Sequence, residues 1–412
     1  MNKMTQKPVS FSKARQLIEQ RADHFSLSSE TVSIEASINR ILAENIHSDL
    51  DIPGADNSSM DGYCARASDL KTATAGNPVL LPCVEGIDAG HTIARLPEGH
   101  CAYIATGAIL PPGADTVVRI EDTALNEREK TVSFFTAAGP GNFIRPKASE
   151  LRNGDLMVSA PALITPQIAG QLASAGLTAV KVTRKPVVTI LTSGDEVLMP
   201  FEYPHPWQVR NSNTTMLKLQ AAEAGACVLD AGIARDRGTH ARDLFLRAAE
   251  SADIIVTSGG ISMGRCDPFK QVFSELEIET VFYGVKIKPG KPVFFGLFKN
   301  KPLFALPGNQ VSTSVTFELF VRPFIRKILG APTDRLIIDL ELTTTSTNKD
   351  GRDFFKRGRP VYRNGRLMVE PLESQESHML SSMAGADLLF LHPADVVVLE
   401  AGQRVRCYYL KG

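Results

Sequence analysis

Tryptophan occurs once in the 412 residues, and cysteine only six times. The thiols Cys64, Cys83, Cys101, Cys227, Cys266 and Cys407 are scattered, with no C-x-x-C pair. They read as reduced structural thiols of a cytoplasmic protein rather than a disulfide framework or a zinc site. Net charge is also lacking: 45 basic residues balance 45 acidic ones, so no global field draws the chain to nucleic acid or to an anionic membrane. No apolar run approaches the roughly 20 residues that cross a bilayer. The polar start Met1-Asn2-Lys3-Met4-Thr5 has no apolar core of a secretion signal. The eight histidines show neither H-x-x-x-H nor H-E-x-x-H spacing, which speaks against catalytic zinc and a serine triad. Walker A and G-x-G-x-x-G sequences are missing too, so a nucleoside triphosphatase or dinucleotide enzyme is not indicated.

What is present is a soluble composition, 43% apolar and 22% charged, on a chain long enough for two to four domains. Phe11, Ala14, Ile18, Ala22 and Phe25 recur at helical spacing after a capping Ser10, and Glu35–Glu44 is a second helical candidate. From Ile52 to Pro146 short β-type runs alternate with Gly/Pro turns, Pro111-Pro112-Gly113 being the clearest. A helix over Thr165–Ala175 ends at Gly176. Residues 147–183 are too short for a core of their own, so they are expected to join residues 1–52 in one mixed helical N-terminal domain, with 53–146 as a β-rich insertion. Residues 184–330 alternate strands with helices, the pattern of a largely parallel, doubly covered α/β sheet closed by a long helix over Gln310–Leu329. Residues 331–412 turn β-rich again, as in a small barrel or sandwich. The fold class is therefore α/β multidomain.

Three polar, Gly-containing loops each follow a predicted strand of the α/β region: Thr192–Glu196, Thr257–Gly260 and Pro307–Asn309. They are expected at one sheet edge, where open α/β sheets hold ligands. Gly259 and Gly260 allow close backbone approach to an anion. Glu196, Asp236 and Asp267 also follow strands, and carboxylates near phosphates suit Mg²⁺. Lys286 and Lys288 alternate along a predicted strand and Lys291 follows in a Pro-Gly turn, a set suited to oxyanions. Read singly, each of these is also an ordinary turn or surface residue. The same holds for the polar loop Asp56–Gly62, for Thr106-Gly107-Ala108, and for Arg352, Arg357 and Arg359 near Glu376-Ser377-His378.

The motifs D-N-S-S-M-D-G-Y, A-T-G-A-I-L-P-P-G-A-D, T-S-G-D-E, S-G-G-I-S-M-G, K-P-G-K-P, L-P-G-N and S-H-M-L-S-S occur in that order over nearly the whole chain. Together they resemble the MoeA family, the molybdopterin molybdenumtransferases that include the gephyrin E domain. The resemblance implies a central MoaB/MogA-like domain and a homodimer whose site is shared between the α/β domain of one subunit and the β-rich domain of the other. It implies Mg²⁺-dependent insertion of molybdate into adenylylated molybdopterin with release of AMP. It further implies a MogA-like adenylyltransferase and acceptor molybdoenzymes as partners. Carried over by position, the catalytic set is Asp61, Glu196, Asp236, Asp267 and Lys288, with Glu196, Asp236 and Asp267 toward the metal. The substrate cradle is Thr106, Glu150, Ser258, Gly259, Gly260, Lys286, Lys291, Pro307, Gly308, Asn309 and Ser312. Arg357 and Ser377 resemble molybdate ligands.

Several positions depart from the family pattern. Ala148-Ser149-Glu150-Leu151 stands for Gly-Glu-Asp-Ile, Gln310 for a proline, Gly284 for a lysine of some members, Glu376 for a glycine, and Arg237 for an acid. These departures leave a second reading, a divergent non-catalytic homologue that binds molybdopterin, molybdate or a partner protein. A third, adenylylation of molybdopterin, is disfavoured because the insertion and the C-terminal domain mark the transferase.

Overall fold

The computed structural model describes residues 7–91, 93–235, 240–261, 267–363 and 365–411. The chain forms two compact units. One comprises Met1–Ala43, Pro161–Ile164 and Val180–Gly412, the other Glu44–Ala160 and Thr165–Ala179.

The first unit is built around a six-stranded sheet with strand order Cys227–Ala234, Val187–Ser193, Ile254–Ser258, Lys301–Leu306, Phe294–Phe298, Glu279–Tyr283. The first four strands run parallel and the last two join antiparallel. Period-two alternation sends successive residues to opposite faces. Ile254 and Val256 enter one core with Leu217, Val311 and Phe324, while Ile255 enters another with Phe245, Phe269 and Leu303. Helices therefore cover both faces, as the unbroken apolar strands require.

Helix Phe11–Ala22 forms as expected, Ser10 accepting from the Lys13 N–H. Its Ala14 and Ile18 are fully buried in the core that holds Phe324, and Phe11 lies 5.9 Å from Phe320 and 4.8 Å from Phe355. These contacts place it with the α/β sheet, and the boundaries between the two units fall at 43, 160, 164 and 179. The finer division into 1–52 with 147–183, 53–146, 184–330 and 331–412 stays a proposal. The second helical candidate is corrected: Glu35–Ser37 is one 3₁₀ turn and Ile41–Leu42 is a strand. Asn39, at φ 61, breaks the run. The long closing helix exists but is not uniform: Gln310–Thr316 and Arg322–Ile328 are α-helical and Phe317–Val321 is a π segment just ahead of Pro323. Proline lacks an N–H and crowds the carbonyl four residues back, and a wider turn accommodates both.

The last part of this unit is a closed barrel. Asp353–Arg363 pairs with Arg366–Pro371, which pairs with Ile337–Leu342, then Arg404–Tyr409, then Leu388–His392, which returns to Asp353–Arg363. Ile287–Lys288 adds in parallel at the Asp353-Phe354 end.

The second unit holds a six-stranded sheet ordered Thr116–Arg119, Gly62–Ala65, Cys101–Ile104, Val79–Ile87, Thr131–Phe134, Thr123–Asn126. Gly62 is required there, because a Cβ would lie 2.1 Å from the Val118 carbonyl oxygen.

Candidate active site

The three Gly-containing loops do converge. Thr192–Gly194, Ser258–Ile261 and Pro307–Gln310 line one cavity of about 550 Å³ at the carboxyl ends of the parallel strands. Its wall also contains the opening residues of three helices: Asn211-Ser212-Asn213, Asp267-Pro268 and Asn309-Gln310. Each helix start carries N–H groups without intrahelical acceptors and the positive end of the backbone dipole. A polar cavity lined in this way favours phosphate-type anions.

Close approach shapes the wall. Gly260 sits at φ +68, and a Cβ there would lie 2.6 Å from Ser193 Oγ and 3.2 Å from Asp267 Oδ1. Gly259, at φ +81, spends its N–H on the Leu306 carbonyl at 3.1 Å, so its amide is committed to the sheet. Glu196 folds over Gly194, where a Cβ would lie 2.6 Å from its carboxylate.

Asn213, which the motif reading missed, ties two of the loops together. Its Nδ2 donates to Ser258 Oγ at 2.9 Å and to the Gly308 carbonyl at 2.7 Å. Ser258 Oγ lies 3.4 Å from the Pro307 carbonyl, and Thr313 Oγ1 donates to the same carbonyl at 2.6 Å. The signal was only an Asn beside a capping Asn at a helix start, which is common in ordinary caps.

Of the expected site residues, Glu196, Ser258, Gly259, Gly260, Asp267, Pro307, Gly308 and Asn309 line this cavity. Ser312 is buried in the helix behind it. Asp236 lies outside the described residues. Lys286, Lys288 and Lys291 do not belong to the lining; of their segment only Pro292 does. Lys288 instead pairs with Asp350 at 2.6 Å and stands 4.6 Å over the Phe354 ring, because its strand belongs to the barrel. Gly284 has φ +85 and a Cβ would meet Pro8 at 3.3 Å, so backbone geometry explains glycine there.

The arginine stripe separates. Arg352 faces Asp350 and Arg359 pairs with Glu370, both as surface ion pairs. Arg357 is fully buried. Its Nη2 donates to the carbonyls of Ser374 and Glu376 at 3.1 and 3.2 Å, while Nε and Nη1 have no hydrogen-bond partner among the described residues. Burial pushes this guanidinium down to about 10, opposed by the charge of Glu376. Two unused donors on a buried cation suit a tetrahedral oxyanion. Ser377 follows on the same loop and links it to the cavity: Asn309 Nδ2 donates to Ser377 Oγ at 3.1 Å, and the Val311 N–H to the Ser377 carbonyl at 3.2 Å.

In the second unit, Asp61 Oδ1 accepts from the Thr106 N–H at 2.7 Å and its hydroxyl at 2.9 Å. These bonds hold its carboxyl below the ordinary aspartate range. Glu150 is exposed on the same unit.

The described residues contain no group of three His, Cys, Asp or Glu side chains placed to hold a metal. Glu196 and Asp267 in one phosphate-suited cavity nevertheless match the donor type of Mg²⁺, which takes one or two carboxylates and fills the rest with substrate and water oxygens.

Three family descriptions match in series: "MoeA N-terminal region (domain I and II)" over residues 9–176, "Probable molybdopterin binding domain" over 189–327, and "MoeA C-terminal region (domain IV)" over 339–410. The molybdopterin molybdenumtransferase of Bacillus subtilis is 31% identical over 397 residues, 95% of this chain and 92% of the relative. That of Haemophilus influenzae is 31% identical over 385 residues, 92% and 94% of the two chains. A solved molybdopterin biosynthesis MoeA protein from Pyrococcus horikosii superposes with a TM-score of 0.82 at 30% identity, covering 98% of this chain and 100% of that one.

Proposed function

The chain belongs to the MoeA family of molybdopterin molybdenumtransferases, and from that premise we propose that it inserts molybdate into adenylylated molybdopterin, releasing AMP and molybdenum cofactor. It is a transferase of molybdenum cofactor biosynthesis. The observation that carries the finer reading is the cavity where three helix starts meet Glu196 and Asp267. The helix starts would bind the phosphoanhydride oxygens, with Asn213 fixing the Ser258 and Gly308 loops around them. Glu196 and Asp267, with Asp236 added by the resemblance, would hold Mg²⁺, which supplies charge neutralisation at the phosphoryl oxygens. Arg357 would take molybdate on its two unused donors, positioned by Ser377 against Asn309 at the cavity rim. An oxyanion beside a phosphoanhydride needs such preorganised donors more than it needs a base.

The reading includes a homodimer in which Asp61 and Thr106 of the partner-facing unit complete the site, cytoplasmic location, and exchange with a MogA-like adenylyltransferase and acceptor molybdoenzymes. Purified protein given adenylylated molybdopterin, molybdate and Mg²⁺ is expected to release AMP and form cofactor. Pterin binding without turnover would instead identify a non-catalytic homologue. Glu376 favours that second reading, because its charge is felt at Arg357 and would oppose a bound dianion. Glu376→Gly is therefore expected to lower the molybdate concentration needed; an unchanged requirement removes the charge argument.

A further inference from the structure

We propose that Cys83 and Cys101 form a reversible thiol–disulfide pair, oxidised by a peroxide, within the sheet of the second unit. The inference does not rest on the proposed activity. Cys83 and Cys101 are direct register partners on the parallel strands Val79–Ile87 and Cys101–Ile104. Register partners project to the same face, and neighbouring strands run about 4.7–4.9 Å apart, within the Cα separation of ordinary disulfides. Both side chains belong to one apolar cluster of this sheet, with Cys101 Sγ near the Leu81 and Pro82 carbonyls at 3.8 and 3.7 Å and Cys83 Sγ near the Val84 carbonyl at 3.4 Å. Cys101 is fully buried and Cys83 partly exposed, which gives them different roles. The Cys101 contact holds the Cys83 thiol below its usual range, whereas the Cys101 thiol is pushed up by that same contact and by burial. Cys83, the more exposed of the two, is thus the thiol an oxidant meets first, and Cys101 the thiol held in reserve behind it. The pair differs from Cys64 and Cys407, whose thiols burial pushes up to about 12.

The chemistry balances with a peroxide as oxidant. The Cys83 thiolate attacks one peroxide oxygen, the O–O bond breaks, and the departing hydroxide is protonated to water. Cys101 sulfur then attacks the resulting sulfenic sulfur, the S–S bond forms, and the Cys101 proton leaves with the hydroxyl as a second water. Two sulfurs lose two electrons in total, and the peroxide gains them. Because Cys101–Ile104 runs directly into Ala105-Thr106, the cross-link restrains the turn from which Asp61 is held.

The test uses the full chain exposed to hydrogen peroxide, blocked with an alkylating agent and mapped by peptide mass under non-reducing conditions. The expected result is a peptide linking Cys83 to Cys101, lighter by two hydrogens, roughly tenfold above a dithiothreitol-reduced control and reversed by that reagent. Cys101→Ser, or Cys101→Ala if serine weakens the fold, should instead stop Cys83 at a sulfenic acid that a dimedone probe captures. Cys83→Ser should leave Cys101 unmodified. Oxidation of Cys83 to sulfinic acid with Cys101 still a thiol in the unsubstituted protein, or peroxide consumption at other cysteines alone, would overturn the proposal.

Discussion

Gln310 opens the Gln310–Thr316 helix, and Asn309 before it holds φ −65 and ψ 126, a conformation that suits a residue preceding proline. The first helical position has no intrahelical acceptor for its N–H, so proline costs no bond there. Gln310→Pro is accordingly expected to stabilise the protein by about 0.4–1 kcal/mol through the unfolded chain, read from the denaturation midpoint. A loss of stability would show that the Gln310 N–H or side chain has a native role. Asp61 supplies a different residue-scale test. Its folded-state carboxyl is depressed from 3.8 by Thr106, so the contribution is complete above that value and is lost as pH falls through the folded one. In an NMR titration Asp61 should ionise below the ordinary aspartate range, and Thr106→Ala should move it upward; an unmoved titration removes the assigned cause. At this scale the motifs named Asp61 and Thr106, though not the hydrogen bonds between them, and did not name Asn213. Its partners lie 45 and 95 positions away, and no local pattern in Asn211-Ser212-Asn213 points to them.

Among the elements, the loop after Ile254–Ser258 is closely constrained at Gly260. Gly260→Ala places a Cβ 2.6 Å from Ser193 Oγ and 2.8 Å from Phe269 in a left-handed conformation, whereas Gly308→Ala meets nothing nearer than 3.6 Å. The first change is expected to cost about 1–2 kcal/mol from backbone handedness alone and to weaken AMP binding. The second should leave stability nearly unchanged. Calorimetry of both variants with AMP separates them, and equal effects would mean the loop can shift freely. The strands and helices of this sheet were legible because buried parallel strands are unbroken apolar runs and helices recur with period 3.6. The lysine segment stays out of the cavity lining for a physical reason. Alternation reads Lys286 and Lys288 as one strand face, whereas only Ile287–Lys288 is strand, and which sheet accepts it depends on Asp353 and Phe354, far along the chain. Likewise the π segment at Phe317–Val321 follows from Pro323 in hindsight, while the apolar pattern alone reads as one continuous helix.

For the whole molecule, the proposed shared site makes a quantitative expectation. An Asp61→Asn chain and an Arg357→Met chain, each inactive alone, should regain about a quarter of normal turnover when unfolded and refolded together in equal amounts. Half of the dimers would then be mixed, each with one site carrying neither change. No recovery would mean each subunit supplies its own complete site or that the dimer does not form. The barrel carries the last consequence. Its five strands close on themselves, yet Asp353-Phe354 also pairs with Ile287–Lys288, and Phe355 packs in the core shared with Phe11 and Phe320. Excising the C-terminal region at residue 331 would leave one edge of that strand end unpaired and Phe355 facing water, an aggregation-prone edge. The piece a geneticist could transplant intact is therefore not a run of sequence, because a few residues before 331 are part of its wall.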